Sequence, residues 1–316
     1  MNQREKALER KITREYQRAY REIAQKAETY FKKFDAKDKE QKELLRQGKI
    51  TNKEYLDWRK SWLRRTKEYN AMLNDCAEIV TNAGVISSAY VRGEQIDMYA
   101  TGANWAAYDV CDELNLDLDF TVYDKKNVMR ILKDNPELLP DMSEQAKANI
   151  PKAMRWNKGH IQSEITQGII QGKAAKDVAK GLARAVGMDK NASIRNARTG
   201  LASARSAGTN NRYKEARDRF GIDIKKQWLA TLDGKTRHEH RALDGQIREL
   251  DEPFVIDGEE IQYPADPTAA PWLVYNCRCT LVDVIGKYNN NINAGFLDAK
   301  SYEEWERQGK RHKKRR

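Results

Sequence analysis

The chain has 316 residues, about twice the length of an average single domain, so we expect two or three modules. A third of the residues are charged and only 7 are Pro and 18 Gly, which favours long solvated helices over a β-sandwich or a low-complexity chain. No apolar run approaches the ~20 residues that span a bilayer, and the charged N-terminal stretch does not resemble a secretory signal. These features argue against an integral membrane protein and for synthesis in a cytoplasm, without a disulfide framework.

The net charge of +11 is unevenly distributed. Residues 1–70 hold 21 Lys/Arg against 12 Asp/Glu, and residues 300–316 hold 8 against 3, whereas the rest of the chain carries a net charge of −3. Two basic ends around a near-neutral body favour contact with a polyanion or with an acidic protein surface. Charged helices that only keep the protein soluble would give the same pattern.

The first part of the chain predicts one long helix. No Gly or Pro precedes Gly48, and apolar residues recur from Leu8 to Phe34 in steps of four, four and three. This spacing repeats every eleven residues and keeps one apolar stripe on one face of a nearly straight helix. We therefore expect a helix over residues 3–46.

A second helix is predicted to follow. Thr51-Asn52-Lys53-Glu54 has the spacing of a capping box, in which Thr caps a backbone N–H and Glu reaches back. The apolar stripe after it includes Trp58 and Trp62, which could stack on nucleic-acid bases but are better explained by packing between the helices. Residues 1–82 are thus predicted to form a basic helical hairpin.

The middle of the chain carries mixed signals. Residues 83–150 predict a helix around 88–114, whose two glycines weaken it by roughly 1 kcal/mol each against Ala. The alternation over 116–123 predicts a strand. Residues 151–220 predict a helical connector, in which four arginines at helical spacing could line one face. These candidate phosphate-binding residues, for which a solvated face is the alternative, are Arg195, Arg198, Arg205 and Arg212.

From residue 222 the apolar residues alternate with polar ones, as in β-strands, and residues typical of turns separate these stretches. We expect a strand over 225–232, a short helix started by a second capping box at residues 236–239, and a hairpin over 254–261 around Asp-Gly. A closing strand over 277–285 follows, and residues 287–316 predict a polar, finally basic tail. The last candidate polyanion-binding residues are Lys313, Lys314, Arg315 and Arg316.

The predicted fold class is therefore α+β, a mainly helical multi-module chain with a small C-terminal α+β domain. The predicted segments are 1–82 (basic helical hairpin), 83–150 (mixed), 151–220 (helical connector), 221–286 (compact C-terminal domain) and 287–316 (basic tail).

Several short motifs in the last hundred residues carry a family resemblance. They are WLATLDGKTRHEHRALDGQ from Trp228, PF from Pro253, PADP from Pro264 and WLVYNCRCT from Trp272. In this order they resemble the C-terminal domain of phage head morphogenesis proteins, the Mu F-like minor head proteins. The resemblance covers roughly residues 150–285, so that segment 221–286 corresponds to the Mu F-like C-terminal domain.

The resemblance implies a minor structural protein of a tailed-phage head, encoded beside the portal protein and present in few copies. It implies a role in head assembly, a location in the virion after synthesis in the bacterial host, and the portal, capsid or scaffold proteins as partners. Together with the basic ends, it makes packaged double-stranded DNA a further expected partner, and no membrane is expected.

An enzymatic alternative rests on the polar groups of the same domain. Asp233, His238, His240 and Asp244, with two cysteines, could form the centre of a metal-dependent nuclease or a toxin-like effector, because His and Asp with a metal can activate water. Against it, both aspartates precede a glycine, as turns require. The GKT at 234–236 lacks the first glycine of a Walker motif. We expect no enzyme.

A structural zinc site is the cofactor prediction. Cys277 and Cys279 are separated by one residue, so in an extended segment they point to the same face and share a partner more easily than they bridge each other. His240 is the nearest third ligand, with Asp233 or His238 as the fourth. The alternative is two small core residues beside a hydrogen-bonded histidine, since CxC alone is weaker than paired CxxC motifs.

Overall fold

In the computed structural model the chain is mostly helical, with small antiparallel sheets and a C-terminal α+β portion, which confirms the predicted fold class. The structure describes residues 3–65, 67–171, 173, 175–288, 292 and 294–315, without the side chains of 63–65, 175, 176, 179, 180 and 311–315. The helices are α1 (Gln3–Arg46), α2 (Asn52–Arg65), α3 (Lys67–Leu114), α4 (Lys125–Asp134), α5 (Met142–Ala148), α6 (Ile150–Ile170), α7 (Ala175–Phe220), α8 (His238–Leu243), α9 (Pro271–Val274) and α10 (Tyr302–Arg315). The strands are β1 (Leu116–Asp117), β2 (Ile224–Leu229), β3 (Ile247–Glu249), β4 (Phe254–Ile256), β5 (Glu259–Ile261), β6 (Thr280–Ile285) and β7 (Gly295–Phe296).

The first helix has the predicted bounds. The apolar stripe identified from its eleven-residue repeat is buried along the whole of α1, from Leu8 to Phe34. An isolated surface stripe of this kind cannot stabilise a helix by itself, so its burial against neighbouring helices is what holds α1 together.

The start of α2 and the aromatic packing beneath it also agree with the sequence. Thr51 N–H donates to Glu54 Oε2 at 2.7 Å, and Glu54 N–H donates to Thr51 Oγ1 at 3.2 Å, which completes the capping box. Trp58 stacks on Phe34 with ring centroids 5.8 Å apart, and its centroid lies 5.7 Å from that of Trp62. The two indoles therefore pack within the hairpin.

The chain packs as two compact units. One comprises Met1–Tyr90 and Met142–Ile194, and the other Val91–Asp141 and Arg195–Arg316. The division into five segments stays a prediction.

Two predictions for the middle segment differ from the structure. The helix predicted from Thr51 is described as α2, to Arg65, and the first part of α3. Helix α3 continues through residue 83 and includes the helix predicted around 88–114. The strand predicted over 116–123 is reduced to β1, which pairs with β7. The apolar residues that alternate there are buried, but most of the segment does not pair with another strand. At Tyr123 the backbone N–H and carbonyl oxygen are instead hydrogen-bonded to the Asn104 side chain, at 2.8 and 2.9 Å.

The C-terminal α+β portion is built around β2. It pairs antiparallel with β3 and β6, in the order β3-β2-β6, and the register places Trp228 opposite Leu281. The predicted hairpin is β4–β5, whose turn residues Asp257 and Gly258 both have positive φ, 51° and 80°. This is the backbone that a two-residue Asp-Gly turn favours.

The predicted polar tail contains a packed helix instead. In α10, the Tyr302 ring stacks on Trp105 of α3 with centroids 4.2 Å apart, and Trp305 is buried. The sequence pattern did not reveal the two aromatic residues of this helix, because the many charges around them hide a narrow apolar stripe.

Candidate metal centre

Three elements of the C-terminal portion bring His240, Cys277 and Cys279 together. His240 lies on α8, and the two cysteines lie between α9 and the first residue of β6. All three side chains are buried, at 3%, 5% and 8% relative exposure, and their nitrogen and sulfur atoms lie within 4.8 Å of one another. The structure thus assembles three of the four residues predicted as metal ligands.

The His240 ring is held on both sides. Its Nδ1 faces the two sulfurs, 3.2 Å from Cys279 Sγ and 3.7 Å from Cys277 Sγ. Its Nε2 lies 2.9 Å from the carbonyl oxygen of Leu273. The indole of Trp228 packs edge-on against the ring, with centroids 5.6 Å apart. These contacts fix which nitrogen points at the thiols.

Arg237 braces the loop on which the cysteines lie. Its guanidinium donates to the carbonyl oxygens of Tyr275 at 2.7 Å and Leu273 at 3.0 Å, and lies 3.1 Å from His240 Nε2. Asn276, with φ of 56°, turns the chain toward Cys277. The loop geometry is therefore set by side-chain contacts with α8 rather than by a regular strand.

The pKa values of the two cysteines shift in opposite directions, because each thiol is the other's hydrogen-bond partner. The hydrogen bond from the Cys277 thiol lowers the pKa of Cys279, and the neighbouring His240 lowers it further. The pKa of Cys277 is correspondingly raised, through the same hydrogen bond and through burial. By contrast, burial raises the pKa of the isolated core thiols Cys76 and Cys111 to about 12. Only the Cys277–Cys279 pair is thus arranged to carry a thiolate.

Asp233 does not join this cluster, contrary to the prediction. It is exposed, and both its oxygens accept hydrogen bonds from Arg278, at 2.5 and 2.6 Å. This hydrogen-bonded ion pair holds the pKa of Asp233 below its usual range. Arg278, the residue between the two cysteines, therefore binds the carboxylate that was predicted as a metal ligand.

His238, the other predicted fourth ligand, is exposed and lies outside the cluster as well. The second predicted capping box does not form, since α8 begins at His238 and has no side-chain cap. The Thr236 hydroxyl instead contacts the carbonyl oxygen of Thr231. The helix starts one residue later than a cap at Thr236 would place it, and its residue His240 is buried.

A buried lysine of β2, Lys226, was not predicted from the sequence. Lys226 Nζ donates to the carbonyl oxygens of Leu250 (3.2 Å) and Gln262 (2.9 Å) and to the Gln262 side chain. Burial lowers its pKa to about 8. The signal was available, because Ile224, Lys226 and Trp228 alternate on the buried face of β2.

The predicted arginine row is only partly accessible. Arg195, Arg198 and Arg205 are exposed on α7. Arg212 is fully buried: its guanidinium lies 3.8 Å from the centroid of the Tyr123 ring and donates to the Thr121 carbonyl oxygen at 3.1 Å. Arg212 is therefore a core residue, and its predicted role in phosphate binding is wrong.

The C-terminal basic residues cannot be placed in the same way. The side chains of Lys313, Lys314 and Arg315, and the whole of Arg316, lie outside the described part of the chain.

Comparison with known proteins identifies the same region. Residues 159–282 match the family model of Phage Mu protein F like proteins. Minor head protein GP7 of Bacillus phage SPP1 is 28% identical over 252 residues, which is 76% of this chain and 72% of that protein. An Enterococcus faecalis protein named NAD(+)–arginine ADP-ribosyltransferase EFV is 33% identical over 151 residues, 46% of this chain and 31% of its own length.

A Haemophilus influenzae protein is 27% identical over 158 residues, 49% of this chain and 32% of its own. The chain thus spans about a third of the Enterococcus and Haemophilus proteins and nearly three quarters of the phage protein. No solved structure is significantly similar to it. Within the described residues, none of the helices combines the length and apolar character needed to cross a bilayer. The family resemblance carried by the C-terminal motifs is confirmed: residues 159–282 of this chain form a Phage Mu protein F like region.

Proposed function

We propose that this chain is a minor structural protein of a tailed-phage head, present in the virion and acting in head assembly. The observation that carries this proposal is the extent of the match to the SPP1 minor head protein. It covers 252 residues, about twice the family region at 159–282, and so includes helical segments outside that region. A relative that shared only the C-terminal domain would give much weaker support for a role of the whole chain in the phage head.

The proposed partners are those implied by the resemblance to Mu F-like minor head proteins. The portal protein is the first partner, with the capsid or scaffold protein as a second, and the chain acts at or near the portal. The exposed basic face of α1, opposite its buried apolar stripe, suits an acidic protein surface or a polyanion. Packaged double-stranded DNA is the polyanion available in a phage head.

A non-enzymatic role fits the His/Cys cluster better than a nuclease or toxin-like effector does. A metal that activates water for hydrolysis needs an open coordination position that the substrate can reach. His240, Cys277 and Cys279 are all buried, and Asp233 is engaged by Arg278. The transferase named among the relatives is matched over 31% of its length, so its activity is not assigned to the shared region.

The test uses the phage that encodes the chain. An affinity tag is added to the chain, and purified virions and DNA-free proheads are quantified by mass spectrometry against the major capsid protein. We expect a few copies per particle in both, and particles without the chain at either stage would overturn the proposal. Cross-linking of intact proheads tests the location: we expect lysines of α1 to couple to the portal protein, and coupling to the major capsid protein alone would contradict the portal placement.

A further inference from the structure

We propose that His240, Cys277 and Cys279 form a zinc site, in which Nδ1 and two thiolates hold Zn²⁺ and tie α8 to the start of β6. The chemistry is that of a thiophilic d¹⁰ cation on a Cys₂His donor set. The site is independent of the proposed role in the phage head, since it rests on contacts within the C-terminal portion alone.

The distances fit a metal between the three atoms. Zn–S bonds of ~2.3 Å and Zn–N bonds of ~2.0–2.1 Å, at a tetrahedral angle, place nitrogen and sulfur about 3.6 Å apart. The two observed Nδ1–Sγ distances, 3.2 and 3.7 Å, lie on either side of this value. Little movement is needed to bring all three atoms to bonding distance.

One tautomer of His240 suits metal binding. If Nε2–H donates to the Leu273 carbonyl oxygen, 2.9 Å away, then Nδ1 presents a lone pair to the two sulfurs. Metal-binding histidines commonly donate their other ring N–H to a backbone carbonyl, which orients the ring. Arg237 donates to the same carbonyl oxygen and holds it in place.

Charge favours the cation in this buried position. Two thiolates balance the +2 charge of zinc, so the filled site is neutral, whereas two buried thiolates without a cation would be strongly disfavoured. Without the metal, the sulfur atoms carry protons instead. Metal and proton therefore compete for the same sulfur atoms, and binding releases protons.

The fourth coordination position is not supplied by a predicted residue. Among the described residues, no further His, Cys, Asp or Glu joins the cluster, because His238 is exposed and Asp233 is bound to Arg278. We infer a water molecule as the fourth ligand, and the burial of the three protein ligands keeps a substrate from reaching it. The zinc then has two sulfur, one imidazole and one oxygen neighbour.

The first measurement is metal content. The full chain is purified under reducing conditions without chelator and analysed by elemental analysis and zinc-edge X-ray absorption. We expect about one zinc per chain, with two sulfurs at ~2.3 Å and two lighter neighbours at ~2.0–2.2 Å. Less than a tenth of a zinc, combined with no uptake of added Zn²⁺ or Co²⁺ by the reduced chain, would overturn the proposal. Copper in place of zinc would overturn the metal assignment.

Variants locate the site. Cys277→Ser, Cys279→Ser and His240→Ala are each expected to remove most of the metal and the thiolate-to-cobalt charge-transfer band. The matched controls are Cys76→Ala, which removes a buried thiol of the other unit, and His238→Ala, which removes a histidine two residues away. Equal loss of metal in the controls would contradict the ligand assignment.

The stability of the unmodified chain tests whether the zinc holds α8 to the start of β6, without relying on variants that could fail to fold. Removal of the metal by a chelator is expected to lower the melting temperature of the C-terminal portion by several degrees, and added Zn²⁺ is expected to restore it. Metal release with unchanged melting would overturn the structural role.

Discussion

Gly102 on α3 and Gly208 on α7 each lie against the backbone of the other helix. A Cβ at Gly102 would overlap the carbonyl oxygen of Arg205, and a Cβ at Gly208 would overlap that of Tyr99. The Thr209 hydroxyl donates to the carbonyl oxygen of Gly102 at 3.2 Å across the same crossing. Glycines that weaken the helices locally are thus what allows their axes to approach.

Replacing either glycine by alanine should destabilise this unit. We expect Gly102→Ala or Gly208→Ala to lower the free energy of unfolding by about 3 kcal/mol, because the new methyl meets backbone rather than a movable side chain. Gly93→Ala is the control: it is also inside α3, but its Cβ would meet nothing within 4 Å. There we expect a gain of about 0.5–1 kcal/mol from helix propensity. Urea titrations of the three variants decide, and equal effects at all three positions would refute the close crossing.

A buried ion pair should contribute to the stability of the other unit. Asp38 on α1 accepts from Tyr55 Oη at 2.8 Å and lies 3.1 Å from Arg59 Nη1, both on α2. Asp38→Asn leaves the buried Arg59 without its charge partner, so we expect a loss of about 3 kcal/mol. Tyr55→Phe should cost about 1 kcal/mol.

The control for this cluster is Asp57→Asn, which removes an exposed carboxylate 3.8 Å from Lys60. Its effect on unfolding should stay within about 0.5 kcal/mol. If Asp38→Asn were equally mild in chemical denaturation, the contact between α1 and α2 would not depend on this ion pair.

Asp283 should make the stability of its unit fall as pH rises from about 4 to about 7. Burial raises the pKa of Asp283 to about 7, and the nearby Asp109 and Glu113 add to the effect. Between its ordinary value and 7, the folded state keeps a proton that the unfolded state releases, so this contribution is present at low pH and lost as pH rises through 7. Urea unfolding at pH 5, 6, 7 and 8 measures it.

Asp283→Asn should reduce the slope of the unfolding free energy against pH between 4 and 7. Relative to the unmodified chain, it should be most stabilising above pH 7. Asp257→Asn, at the exposed turn of β4–β5, is the control and should leave the profile unchanged. A profile that keeps its slope in Asp283→Asn would assign the pH dependence to other groups.

Helix α10 should be needed for stability in the part that precedes residue 311. Trp305→Ala removes a buried indole, for which we expect a loss of about 3 kcal/mol, and Tyr302→Ala removes the stack on Trp105. Deletion of residues 311–316 should leave the melting temperature within about two degrees. If that deletion instead lowered stability as much as Trp305→Ala, the basic end would itself be part of the packed structure.

The sequence predicted those features that depend on local periodicity. The stripe of α1, the capping box at Thr51 and the Asp-Gly turn of β4–β5 all follow from the spacing of nearby residues. It could not predict features set by distant partners. Arg212 is buried because it packs against Tyr123 and Thr121. Asp233 does not join the metal site because it is bound by Arg278, which is distant in sequence. At the candidate metal site the three residues brought together by folding were predicted from their chemistry, but the fourth was not.

The three exposed arginines of α7 should bind DNA through its phosphates. Replacing Arg195, Arg198 and Arg205 by Gln should lower the affinity for double-stranded DNA and reduce the slope of log K against log salt by up to about 2.7, since each phosphate contact contributes about 0.9. Neutralising the four C-terminal residues from Lys313 should act in the same direction, and no base-sequence preference is expected.

The control removes the same charge from a different exposed surface, through Gln at Lys125, Lys126 and Lys133 of α4. Because long-range attraction depends on net charge, both triple variants should slow association at low salt to a similar extent. Only the loss of direct contacts reduces the number of counterions released, so the salt slope should change in the arginine variant alone. An equal change of slope in both variants would mean that the α7 arginines form a solvated face with no particular role in binding DNA.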